Sequence, residues 1–205
     1  MTRFSELMSG QTLLPIIQAD SPEQGVKIAK AMSKAGLNLV EVVLRTEASL
    51  EALSAIKSEV PSLIVGAGTV INEEVLSAAI EVGSDFIVTP AVSSSLLNAL
   101  EACQIPVLPG VSNTADILMT LEAGFTEQKL FPASLSGGAP FLKAVSSVFR
   151  DVKFCPTVGV NQLNKTDYLS LPNVFAVGGT WVAKKEWVSE ENWEAVTQSC
   201  QEANA

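Results

Sequence analysis

Two periodicities alternate along the chain. Short runs rich in β-branched and large apolar residues fall at 13–18, 39–44, 63–67, 86–89, 106–108, 127–131, 153–156 and 174–177. Runs this short and this apolar read as strands of a parallel sheet covered on both faces. Between them apolar residues recur every three or four positions, the spacing of a helix with one buried stripe. Ser21 and Pro22 open the first such stretch as cap and first helical residue, and Gly36 closes it. Others run over 46–60, from Asn72 to near Gly83, and over 93–103, 113–123, 140–149, 162–170 and 190–203. Strand–helix alternation of this kind predicts an α/β fold: a (β/α)8 TIM barrel, one domain over 1–205. An open doubly wound sheet is the competing arrangement. The lack of Gly-x-Gly-x-x-Gly after the first strand counts against it.

Two charged residues interrupt this pattern inside strands. In Leu39-Val-Glu-Val-Val-Leu-Arg45, strand alternation puts Val40, Val42 and Leu44 on one face and Glu41, Val43 and Arg45 on the other. The wholly apolar face must meet the helices. Glu41 and Arg45 are then expected inside the barrel, about 13 Å apart along the strand. In Glu127-Gln-Lys-Leu-Phe-Pro132, Lys129 and Phe131 share one face and Leu130 takes the other. Lysine is seldom buried unless it is paired or functional. Burial disfavours the ammonium, and the neutral amine is a nucleophile for carbonyl carbon. An inward amine facing an inward carboxylate is the minimum equipment for imine chemistry on a ketone. The structural alternatives are a strand-end lysine that snorkels to solvent and a glutamate held in an ion pair for stability.

Composition narrows the function classes. The 205 residues are 47% hydrophobic and 17% charged, enough apolar material for one sizeable core. Thirteen basic residues stand against 22 acidic, a net charge of −9, which repels nucleic acid over most of the surface. There is no histidine, so Ser-His-Asp and Cys-His catalysis and two-histidine zinc motifs are excluded. Acid–base work falls to Glu, Asp, Lys, Tyr or water. No clustered Asp/Glu loop suits a hard cation, and neither metal nor other cofactor is expected. The three cysteines are far apart, and no run approaches the ~20 apolar residues that span a bilayer. The start lacks the apolar segment of a secretion signal. A cytoplasmic protein with reduced thiols and no membrane partner is expected.

In a barrel of this kind chemistry sits at the C-terminal ends of the strands. Gly66-Ala-Gly68-Thr69 ends the third, with glycines that allow close backbone approach and a hydroxyl donor. Pro156-Thr-Val-Gly159 and Gly178-Gly179-Thr180-Trp181 end the seventh and eighth, where backbone N–H groups can hold an anion. Ordinary turn glycine is the alternative at each. Gly137-Gly138 is read as a flexible loop over the mouth.

Glu-Val-x-Leu-Arg-Thr (41–46), Gly-Ala-Gly-Thr-Val (66–70), Thr-Pro (89–90), Lys-Leu-Phe-Pro-Ala (129–133), Phe-Cys-Pro-Thr (154–157) and Gly-Gly-Thr-Trp (178–181) occur in that order. With these motifs the chain resembles, over nearly its whole length, the bacterial 2-keto-3-deoxy-6-phosphogluconate (KDPG) aldolases, many of which also act on 4-hydroxy-2-oxoglutarate (KHG). The resemblance implies a metal-free class I aldolase, typically a homotrimer. It implies an anionic keto acid as substrate, Lys129 as the Schiff-base lysine and Glu41 as general acid/base. Arg45 and Thr69 would bind the substrate carboxylate, and Pro90 and Phe131 would line the pyruvyl pocket. Gly159, Gly179 and Thr180 would contribute to a phosphate site. The chain departs from the family pattern at Val158, where Gly is typical, at Thr180, where Ser is common, and at Ser134, where Glu often follows Pro-Ala. Valine beside the phosphate loop predicts weaker selection for the phosphorylated acid and activity on 4-hydroxy-2-oxoglutarate. A phosphosugar isomerase or epimerase without a lysine adduct, and a catalytically silent pyruvate-binding barrel, are the rival readings.

Overall fold

The computed structural model describes residues 3–204. Five strands open the fold: β1 (Leu13–Ile17), β2 (Leu39–Val43), β3 (Ile64–Gly68), β4 (Ile87–Val88) and β5 (Val107–Leu108). Four more follow: β6 (Gly110–Val111), β7 (Glu127–Leu130), β8 (Lys153–Phe154) and β9 (Val177–Gly179). All pairings are parallel, in two sheets ordered β5-β4-β3-β2-β1-β9 and β6-β7-β8.

Pro109 sits between β5 and β6 and divides what the sequence presents as one strand. It has no N–H to give a ladder, although its carbonyl accepts from the Lys129 amide at 2.8 Å. Next to it, the Gly110 amide bonds the Thr89 hydroxyl at 2.9 Å instead of a strand backbone. The chain thus leaves the larger sheet at Leu108 and enters the smaller one at Gly110. On the other side two isolated bridges, Phe154 with Val174 and Thr157 with Gly178, connect the parts, with bonds from the Phe154 amide to the Asn173 carbonyl at 2.8 Å, the Phe175 amide to the Phe154 carbonyl at 3.1 Å and the Gly178 amide to the Pro156 carbonyl at 2.9 Å. The observed architecture is therefore the α/β fold anticipated, with a curled parallel sheet in two portions, of six and three strands.

Around the curl run the helices α1 (Phe4–Leu7), α2 (Pro22–Lys34), α3 (Ser49–Glu59), α4 (Glu73–Glu81), α5 (Ser94–Ala102) and α6 (Thr114–Glu122). α7 (Gly138–Val145), α8 (Lys165–Leu169), α9 (Lys185–Ser189) and α10 (Trp193–Asn204) complete the set. Ser21, Asn72, Ser93 and Asn113 each accept a first-turn amide at the starts of α2, α4, α5 and α6. Such caps are worth about 0.5–2 kcal/mol each. No helix among the described residues is long and apolar enough to cross a membrane.

Alternation along the strands splits the core into layers. Val40 and Val42 face outward and pack with Ile28, Leu53 and Ile56 of α2 and α3. Leu39 faces inward with Leu14, Phe86, Val88, Leu108, Cys155 and Ala176. Phe4 of α1 closes the N-terminal end of this inner cluster, edge-on to Phe86 at 5.1 Å between ring centroids. Ser5 fixes that plug, its amide donating to the Glu127 carboxylate at 2.9 Å. Apolar side chains therefore fill the N-terminal half of the interior, and the polar residues lie above them, toward the strand ends.

Candidate active site

Glu41 lies inward on β2, two residues beyond Leu39, with Ile16 and Gly66 beside it in register. Lys129 lies on β7 with Gly110 beside it. Its Nζ donates to Glu41 Oε1 at 3.2 Å. The two side chains are 4% and 0% exposed, so this is a buried ion pair joining the smaller sheet to the larger. A buried pair is stable only when its remaining polar atoms are satisfied. Here Glu41 Oε2 is buried without any hydrogen-bond partner among the described residues.

The glycines of β3 serve this pair. A Cβ at Gly68 would collide with the Glu41 carboxylate, and one at Gly66 with the Phe86 ring. Their smallness makes room for side chains of the protein itself, where the sequence suggested approach to a ligand.

Around the amine the neighbours are mostly apolar. The Phe131 ring centroid is 5.4 Å from Lys129 Nζ. Pro90 is half-buried, and Gly110 leaves space for the backbone of Thr89 and Pro90. Cys155, opposite Lys129 one step on from the Gln128–Phe154 pair, is fully buried. Burial pushes its thiol up to about 12; the Lys129 charge pulls the other way and Glu41 adds to the rise. The thiol is therefore neutral near pH 7. Sequence reading left Cys155 unassigned, because its place beside Lys129 depends on inter-strand register.

Arg45 departs from expectation. β2 ends at Val43, and the Arg45 amide turns back to the Val43 carbonyl at 3.0 Å. Arg45 is exposed, beyond the end of the strand. There its Nε donates to Thr69 Oγ1 at 3.1 Å, so the two residues expected to act together do meet. Thr69 holds φ at 66°, an uncommon value for a β-branched residue.

The loops after β7 and β8 lie side by side. The Ala133 amide bonds the Thr157 carbonyl at 2.8 Å, and the Ser134 amide bonds the Val158 carbonyl at 3.1 Å. Val158 has φ 76° and its side chain points to solvent, 42% exposed; Gly159 follows at φ 81°. The Trp181 ring covers Gly179, where any Cβ would strike it, and Thr180 is exposed beside it. Gly137 and Gly138 are not a loose flap: Gly137 is the left-handed residue before α7, and Gly138 is buried as its first residue. A cavity of about 690 Å³ opens between the ends of β1 and β9, lined by Ile16, Gln18, Thr180, Trp181 and Lys184 among others.

A buried amine beside a carboxylate with one free oxygen can attack a carbonyl and move a proton at the adjoining carbons. The comparisons with known proteins agree in kind. The sequence profile of the family described as KDPG and KHG aldolase matches residues 4–199. The 2-dehydro-3-deoxy-phosphogluconate aldolase of Pseudomonas aeruginosa is 39% identical over 201 residues, 98% of this chain and 91% of that protein. The KHG/KDPG aldolase of Escherichia coli K12 is 35% identical over 202 residues, 98% of this chain and 95% of that one. Among solved structures, KDPG aldolase from Legionella pneumophila, with pyruvate captured as a covalent carbinolamine, superposes with a TM-score of 0.96 at 35% identity. That superposition covers 100% of this chain and 99% of the other. On the profile match, the identities and the superposition alike, this chain belongs to the KDPG and KHG aldolase family.

Proposed function

We propose that the chain is a class I aldolase, reversibly cleaving a 2-keto-4-hydroxy acid to pyruvate and an aldehyde. Its substrates are 2-keto-3-deoxy-6-phosphogluconate, 4-hydroxy-2-oxoglutarate, or both. The observation that carries this reading is the buried Lys129–Glu41 pair with Glu41 Oε2 left free. A salt bridge kept only for stability has no reason to leave a buried carboxylate oxygen unsatisfied. A substrate hydroxyl or a water is the natural donor to it.

The reaction follows from that geometry. Glu41, 3.2 Å away, accepts the ammonium proton of Lys129. The neutral amine adds to the C2 ketone, and Glu41 returns its proton to the carbinolamine hydroxyl, which leaves as water to give a protonated imine and a free Glu41 carboxylate. Glu41, directly or through water, takes the C4 hydroxyl proton. The C3–C4 bond then breaks, its electron pair moving into the imine to form an enamine, and the aldehyde departs. Glu41 returns a proton to C3, and hydrolysis frees pyruvate and the amine. Phe131, Pro90 and the neutral Cys155 keep the surroundings apolar, which strengthens each charge interaction of this sequence. Arg45 and Thr69 hold the substrate carboxylate at the rim, and Gly159, Gly179 and Thr180 receive the distal end. The carbinolamine seen in the Legionella enzyme is the matching intermediate in a relative.

The same reading takes residues 1–205 as one cytoplasmic (β/α)8 domain, its ring completed through Pro109 and the Thr157–Gly178 bridge. It also takes the protein as a homotrimer, and Leu135 and Leu163, 83% and 95% exposed, are apolar surface for assembly to cover.

Borohydride trapping with pyruvate, followed by digestion and mass spectrometry, tests the core of this proposal. A reduced pyruvyl adduct on Lys129 is expected. No adduct, or one on Lys143 or Lys153, rejects it. Lys129→Arg should abolish turnover, because guanidinium remains protonated.

A further inference from the structure

The inner face of β1 climbs from apolar to polar as it passes the reactive pair. Leu13 and Ile17 pack outward with the helices, and Leu14 belongs to the inner apolar cluster. Ile16, on the same face as Leu14, stands beside Glu41 in register. Gln18 is the next residue of that face and the one polar residue of the run 13–18. Ile16 and Gln18 both line the cavity of about 690 Å³. Strand spacing and rise put the Cα atoms of Glu41 and Gln18 roughly 8 Å apart.

This cavity lies on the β1 and β9 side of Glu41, whereas Thr69, bonded to Arg45, follows β3 on the other side. A keto acid with its carboxylate at Arg45 and its C4 hydroxyl at Glu41 therefore extends its aldehyde half toward β1 and β9. The first group beyond C4 then comes within reach of Gln18.

The Gln18 side chain is exposed to the cavity and makes no hydrogen bond among the described residues. Nearby polar groups are engaged: Gln24 Oε1 accepts from the Asp20 amide at 2.8 Å, and Lys184 Nζ lies 4.6 Å from the Trp187 ring centroid. Lys184 and Lys185 are balanced in the lining by Asp20 and Glu186, so no net positive charge gathers there. A primary amide offers a donor and an acceptor at the end of one side chain. A hydroxyl, which also both donates and accepts, can satisfy the two. An oxyanion takes only the donor.

We infer that Gln18 is a specificity-determining residue. Its amide pairs with a hydroxyl on the carbon next to the aldehyde carbon and so favours hydroxyl-bearing aldehydes over glyoxylate. This rests on the aldolase reading above.

Kinetics of aldehyde addition to pyruvate by wild type, Gln18→Leu and Gln18→Glu test it. Glyceraldehyde 3-phosphate and glyceraldehyde carry the hydroxyl; glyoxylate lacks it. Leucine keeps most of the bulk and removes the amide. Gln18→Leu should lower the kcat/KM preference for both hydroxyl-bearing aldehydes over glyoxylate roughly 3–10-fold, mainly through their KM. Gln18→Glu keeps an acceptor and adds charge, so it should raise the preference for uncharged glyceraldehyde over the two anionic aldehydes. An unchanged preference in Gln18→Leu overturns the inference while a Lys129 adduct with pyruvate still forms. So does a loss confined to glyceraldehyde 3-phosphate and glyoxylate, since the amide would then hold the oxyanion. An equal loss on all three overturns it too, because Gln18 would then only shape the end of β1. Wild-type protein without a Lys129 adduct would reject the aldolase reading itself, and this inference with it.

Discussion

Glu41 differs from the other carboxylates of the chain in having one oxygen committed to Lys129 and the other to nothing. Glu41→Gln keeps the shape and removes the proton carrier. We expect kcat to fall roughly 10²–10⁴-fold, while borohydride still traps pyruvate on Lys129, more slowly. Near-normal turnover would move the acid/base role elsewhere. Val158 shows the opposite situation, a side chain that packs little and holds a costly backbone angle. An L-residue in the left-handed region costs about 1–2 kcal/mol, and valine is among the worst suited. Val158→Gly should therefore stabilise the protein by roughly that amount, read as a rise in melting temperature of about 2–4 °C per kcal/mol. It should also raise kcat/KM for the phosphorylated substrate, with the unphosphorylated one nearly unchanged. A fall for both would show that the valine supports the loop. At this scale Lys129 and Glu41 were legible because each breaks an apolar strand, and alternation then gave their facing. Cys155 was not legible: its place beside Lys129 comes from the register between strands, which a single segment does not carry.

At the scale of elements, five-residue β2 kept the facing that alternation predicts. Two departures have physical causes. The last strand was expected at 174–177 and occupies Val177–Gly179. Val174, Phe175 and Ala176 are apolar because they pack, whereas the paired residues include two glycines with no strand propensity. The helix expected from 140 begins at Gly138, because the positive φ of Gly137 sets the start earlier than Pro140 suggests. α1 and α9, of four and five residues, are too short to show a period. α10 offers a test of its own. Its Cys200 is fully buried against α2 and the strands, and burial pushes the thiol up to about 12. In the unfolded chain it ionises near 8.5. Between these values the folded state retains a proton that the unfolded state has lost, so stability falls as pH rises, by up to about 1.4 kcal/mol per pH unit for one thiol. Cys200→Ala should be less stable at every pH but decline less steeply above pH ~9. Melting temperatures from pH 7 to 11 decide it, and parallel curves would refute the claim.

The whole molecule is held together unevenly. β1, β2 and β3 run five residues each, while β4, β5, β6 and β8 have two. Amide hydrogen exchange should accordingly be slowest in the first three strands and fastest near Pro109 and the Thr157–Gly178 bridge. Uniform protection around the sheet would contradict this. The sequence showed eight apolar runs but not the two seams, because the division depends on one imino residue and on ladders too short to pair fully. The seams matter because Glu41 belongs to the six-stranded portion and Lys129 to the three-stranded one. The ion pair is thus the rivet between two leaves of a hinge. Trapping pyruvate on Lys129 replaces the primary ammonium of that rivet with a bulkier secondary amine that carries a carboxylate, so the adduct should change protection along both seams while the outer helices keep theirs.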